Sequence, residues 1–116
     1  MKRDMELIRI ILLDTEGETQ VDLSPYNEEH LKYHKKLLLD RGFIEGIEIS
    51  SLVGLSEVII ESLTWAGHDF LDDARDDRVW QEAMQEIGKY VGSASLDVVK
   101  AVLAAVATGM ITGGQP

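Results

Sequence analysis

Cysteine is absent from this 116-residue chain. That excludes disulfides, thiolate metal sites and cysteine nucleophiles. No apolar run is long enough for a bilayer: the longest, Val98 to Met110, is short and rich in alanine. The start, Lys2-Arg3 followed by the acids Asp4 and Glu6, lacks a small-residue cleavage pattern. A cytoplasmic protein without a membrane partner is therefore expected. Positive charge is missing along a whole stretch. Between Arg41 and Arg75 there is no Lys or Arg, while Glu45, Glu48, Glu57, Glu61, Asp69, Asp72 and Asp73 all fall inside the gap. Also missing is any nucleophile–base pair, phosphate loop or metal triad, so neither an enzyme nor a cofactor is expected.

What is present is the composition of an ordinary folded domain, 45% hydrophobic and 28% charged. The length fits one domain, assigned to residues 1–107, followed by a flexible Gly-rich tail, 108–116. Asp4 is placed to cap a first helix whose stripe is Met5, Ile8, Ile11 and Leu12, ending near Asp14, with Gly17 supporting the break. Residues 15 to 27 are too few for another helix with its turns. Asn27 then caps a helix from about Glu28 to Arg41 with Leu31, His34, Leu38 and Arg41 on one side, stopped by Gly42. Ile44 to Leu63 is rich in β-branched residues, with Ser51–Ser56 as the turn between two strands. Thr64 caps a third helix over Trp65 to Ala74. A break at Asp76-Asp77 opens a fourth, striped by Trp80, Met84, Ile87 and Val91 and ended by Gly92-Ser93. Ser95 caps a fifth, with Leu96, Val99, Val102, Leu103 and Val106 along one side.

From Leu31 to Leu71 the order is helix, Gly stop, hairpin, and a Leu63-Thr64-x-x-Gly67 helix start. This segment is similar to the helix–wing–helix half of bacterial winged-helix regulators. Three blocks narrow the likeness: Met1-Lys-Arg-Asp-Met-Glu-Leu-Ile-Arg9; Tyr33-His34 ahead of Gly42-Phe43-Ile44-Glu45-Gly46; and Leu63 to Leu71 followed by Ala74-Arg75-Asp76-Asp77 and Val79-Trp80. In this order the chain resembles the YjcQ-type family, bacterial and prophage proteins of unknown function. The resemblance implies a mostly helical α+β fold, winged-helix-like, with a two-stranded β wing and extra C-terminal helices. It also implies a frequent prophage context and assigns no catalytic residues.

His30 and His34 are four apart, a spacing at which two imidazoles can share a metal. His34 lies on the apolar stripe and no third ligand is near, so a hydrogen-bonded, semi-buried histidine is the expected role. Asp72, Asp73, Asp76 and Asp77 are interleaved with Arg75 and Arg78, which favours capping and ion pairing over a metal site. For nucleic acid, the second helix offers Lys32, Tyr33 and Lys36 but also Glu29 and Asp40. A net charge of −10, from 21 acidic and 11 basic residues, opposes the phosphate contacts that supply most such affinity. The expected role is a non-enzymatic module that binds a protein partner through an acidic wing, with Glu45, Glu48 and Trp65 as contacts. The alternative is a small DNA-binding transcriptional regulator using Lys32, Tyr33 and Lys36. The fifth helix, with small Ala101, Ala104, Ala105 and Ala107 beside its aliphatic stripe, is suited either to pack on the domain or to pair with its copy in a homodimer, the latter being the expected arrangement.

Overall fold

The structure, a computed structural model, describes residues 2–89 and 94–109. Among these the fold is α+β and mostly helical, with five helices and one two-stranded antiparallel sheet. It divides into two compact units, Met1–Leu71 and Asp72–Pro116. No described helix is long and apolar enough to cross a membrane.

In the first unit, the Asp4 carboxylate accepts from the Glu6 and Leu7 amides and so caps α1 (Met5–Glu16). The run Leu7 to Leu13 is almost continuously apolar, and Leu7, Ile8, Ile11, Leu12 and Leu13 are all buried. The helix is thus covered on more than the one stripe expected, and Met5 is only half-buried. It extends two residues beyond Asp14. The stop is Gly17, at φ 80°, whose N–H donates to the Leu13 carbonyl. Residues 17–27 hold one turn, closed from the Tyr26 amide to the Leu23 carbonyl, and no helix lies between α1 and α2.

Asn27 accepts from the His30 amide and starts α2 (Glu28–Arg41). Its end is a Schellman arrangement: Gly42 (φ 83°) donates to the Leu38 and Leu39 carbonyls, and Phe43 donates to Leu38. The chain turns directly into β1 (Ile44–Ile49), which pairs with β2 (Glu57–Leu63). α1 and α2 both pack on β2, and α2 also packs on β1. Phe43 and Phe70 join this core with ring centroids 5.2 Å apart. Phe70 and Leu71 come from α3 (Trp65–Ala74), whose bounds are those the sequence predicts.

In the second unit, Asp76 accepts from the Val79 amide to cap α4 (Asp77–Gly88), and Ser95 accepts from Val98 to cap α5 (Leu96–Ala107). The two helices pack on each other, with Trp80 and Ala83 buried on one and Val99, Leu103 and Val106 on the other. Those three lie at i, i+4 and i+7, one side of a helix. The expected stop of α4 at Gly92-Ser93, and Val91 of its stripe, lie outside the described residues. The expected tail begins at Thr108 and Gly109, which close α5 through hydrogen bonds to the Ala104, Ala105 and Val106 carbonyls. Residues 110–116 lie outside the described residues.

Candidate functional site

The hairpin sets its own polarity through one irregularity. Ile44 faces Leu63 and Glu45 faces Ser62, but Gly46 faces Ile60, so Glu61 is an extra residue in β2. Side chains alternate along a strand, and an inserted residue switches which parity points inward. Leu63 on one side of the bulge and Val58 on the other are therefore both buried, although they are an odd number of residues apart. Gly46 makes the bulge geometrically feasible. A Cβ there would overlap the Ile59 carbonyl oxygen.

The consequence lies on the opposite face. Glu45, Ile47 and Ile49 of β1 point outward together with Glu57, Ile59 and Ser62 of β2. Ile47 and Ile59 are a cross-strand pair, 54% and 51% exposed, and Ile49, paired with Glu57, is 51% exposed. Leu52 and Val53 at the tip are fully or nearly fully exposed. The outward face is thus aliphatic in the middle and carboxylate at both ends, with Glu61 exposed at the bulge. Sequence reasoning assigned the wing its acids and missed this apolar face. The alternation Ile47-x-Ile49 was visible, but without the bulge nothing showed which parity was outward.

Glu48 is placed differently from the other hairpin acids. It points toward α2, where the Lys36 ammonium donates to it at 2.9 Å and to Asp40 at 2.8 Å. The hydrogen bond to Asp40, then that to Glu48, raises the Lys36 pKa, and the Lys36 bond lowers that of Glu48. Of the two expected wing contacts, Glu45 lies on the outward face and Glu48 is bound to the protein's own lysine. The nucleic-acid candidates fare likewise. Lys32 pairs with Glu28 at 3.6 Å, and half-buried Tyr33 stacks edge-on with His34, centroids 5.3 Å apart. Each exposed ion pair contributes little to stability. Together they leave Lys36, Asp40 and Glu48 as a cluster of net charge −1, the wrong sign for phosphate.

At the base of the hairpin the Leu-Thr-x-x-Gly motif acquires a physical reason. The Thr64 amide donates to the Phe43 carbonyl, its hydroxyl donates to the Gly42 carbonyl, and the same hydroxyl oxygen accepts from the Gly67 amide. Gly67 lies so close to Phe43 that a Cβ would overlap the Phe43 carbonyl oxygen. The start of α3 is clamped to the exit of α2, which fixes both ends of the hairpin. Trp65, the third expected partner contact, follows at the first helical position and is 84% exposed.

His34 is wholly buried on the inner side of α2. Its Nε2 accepts from the Asp4 amide at 2.7 Å, and its Nδ1 lies 2.8 Å from the His30 carbonyl. A carbonyl only accepts, so the proton sits on Nδ1 and the ring is neutral. Both nitrogens are engaged, which removes His34 as a metal ligand in this arrangement. Burial lowers its pKa. The other proposed metal cluster is dispersed: Asp76 caps α4 and Arg75 pairs with Asp72, while Arg78 pairs with Glu82 rather than an aspartate. No group of three or more His, Asp or Glu is placed to hold a metal among the described residues.

Residues 2–94 match the model of a family described as a hypothetical protein, DUF2513. The chain belongs to that family. A relative from Haemophilus influenzae, described as an uncharacterized protein, is 38% identical over 118 residues, covering 96% of this chain and 99% of its own length. No solved structure matches. The matched DUF2513 region contains the first unit from residue 2 onward and α4, hence every residue of the hairpin and of the Thr64–Gly67 clamp.

Proposed function

We propose that this DUF2513 member is a non-enzymatic, cytoplasmic interaction module with a winged-helix-like scaffold, binding another protein through its acidic wing. The observation that carries the reading is the outward hairpin face. It combines exposed isoleucines with carboxylates in a segment that contains no Lys or Arg from Gly42 to Ala74. Exposed apolar clusters rimmed by polar groups are the usual mark of protein contact. The likeness to YjcQ-type proteins adds a prophage context. The pairing of Lys32 and Lys36 with carboxylates speaks against the DNA-binding alternative.

The test compares two kinds of partner. A random-sequence duplex at low salt is expected to give no band shift, because binding requires cations to displace counterions. Affinity capture from lysate is expected to retain a basic protein that is lost on the triple change Glu45→Gln, Glu57→Gln, Glu61→Gln at unchanged melting temperature. A band shift with the duplex, or recovery of the same protein by the triple variant, contradicts the reading.

A further inference from the structure

The outward face has an order as well as a composition. Along β1 it reads Glu45, Ile47, Ile49, and across the hairpin Ile59 lies beside Ile47 and Glu57 beside Ile49. From Glu45 to the Ile49–Glu57 pair is four residues of strand, about 13 Å. Midway between the carboxylates sits the Ile47–Ile59 pair, whose side chains are close enough to form one apolar platform. In an extended polypeptide, residues i, i+2 and i+4 share a face and span the same length. A cation, an aliphatic residue and a second cation at that spacing would meet a carboxylate, the isoleucine platform and a carboxylate in turn.

Charge selects among occupants. A second copy of the chain would bring six carboxylates (Glu45, Glu57 and Glu61 twice) to one interface, with no cation from either hairpin. Like charges facing each other across an interface are unfavourable. A nucleic acid would place phosphates against the same acids. A cationic segment converts each acid into a contact.

We propose that the outward face of the hairpin seats an extended segment of a partner protein in which an aliphatic side chain is bracketed, two residues away on each side, by Lys or Arg. This rests on the acidic-wing reading above and adds the partner's pattern. The probe is a labelled peptide, Lys-Ser-Ile-Ser-Lys-Ser-Ile-Ser-Lys, titrated with the full chain and followed by fluorescence anisotropy. Two control peptides replace both Ile by Ser, or every Lys by Glu. The Ile-containing cationic peptide is expected to bind about tenfold more tightly than the Ser control, the scale of burying most of one isoleucine on the platform. The Glu control is expected not to bind. The double variant Ile47→Ser, Ile59→Ser is expected to abolish the difference between the cationic peptides, with its fold confirmed by an unchanged circular dichroism spectrum. Should that variant misfold, Ile59→Ser alone, which removes half of the platform, carries the same comparison.

Equal binding of the Ile and Ser peptides to the native chain overturns the aliphatic part and leaves the acidic-wing reading standing. Binding of neither cationic peptide overturns both. Equal binding of the Glu control overturns the cationic pattern. A sedimentation mass that halves on Ile47→Ser, Ile59→Ser identifies a second copy as the occupant and overturns the proposal.

Discussion

Gly67→Ala is expected to destabilise the protein by about 3 kcal/mol, the upper range for forcing a methyl group into a closed site. The sign is the informative part. In a helix the same change ordinarily stabilises by about 1 kcal/mol, because Ala loses less backbone freedom. Here a methyl group meets the Phe43 carbonyl oxygen, a backbone atom that cannot rotate away. Relief requires α3 to lift from the α2 exit, which breaks the Thr64 bonds to Gly42 and Phe43. Gly88, in the last turn of α4, has nothing within 4 Å of its Cβ position. Gly88→Ala is the internal control and is expected to be neutral or mildly stabilising. Urea unfolding of both variants checks the contrast. A Gly67→Ala protein as stable as the native one would show that the clamp is not closed.

His34→Leu is expected to cost about 2 kcal/mol at neutral pH, the desolvation penalty of leaving the Asp4 amide without an acceptor. The cost should also depend on pH in a definite direction. Burial lowers the His34 pKa in the folded state below the unfolded value of about 6.5. As pH falls through that value the unfolded chain takes up a proton at this position and the folded chain does not. Stability contributed by neutral His34 is therefore complete above the unfolded pKa and declines on acidification until the folded pKa is reached. Protonation would also set a second N–H on Nε2 against the Asp4 amide. The hydrogen bond to the His30 carbonyl and the Asp4 carboxylate favour the cation and the His30 ring opposes it, but burial is the largest influence and the net shift is downward. The Leu variant lacks this dependence. Its stability deficit, measured by urea unfolding between pH 7.5 and pH 5 (values spanning the unfolded pKa), is expected to shrink as pH falls. A constant deficit would mean that His34 titrates alike in both states.

Helix starts, and the exits at Gly17 and Gly42, were legible because they are written in local hydrogen bonding. Asp4, Asn27, Asp76 and Ser95 supply side-chain acceptors to amides that a helix cannot satisfy by itself, and Gly17 and Gly42 take left-handed exits. The turn between the strands and the Thr64 restart followed from the same kind of signal. Orientation within the hairpin was another matter. The Glu61 bulge depends on Gly46 approaching the Ile59 backbone across the sheet, a tertiary relation that no window of sequence contains. The candidate site was accordingly half visible. Glu45 and exposed Trp65 lie at the surface as expected. Glu48 reaches back across twelve residues to Lys36, and that one pair both withdraws a hairpin acid and neutralises a cation of the DNA candidate. Glu57, Glu61 and the three outward isoleucines complete the surface instead.

The most direct test of the hairpin as the binding surface is a pair of titrations of the 15N-labelled full chain, followed by amide chemical shifts. One adds the Lys-Ser-Ile peptide and the other a random-sequence duplex at low salt. The account predicts that the peptide shifts the amides of Glu45–Ile49 and Glu57–Ser62 and that the duplex shifts none. Duplex-induced shifts along Leu31–Arg41, with the hairpin amides unmoved by the peptide, would contradict it and make α2 the working surface.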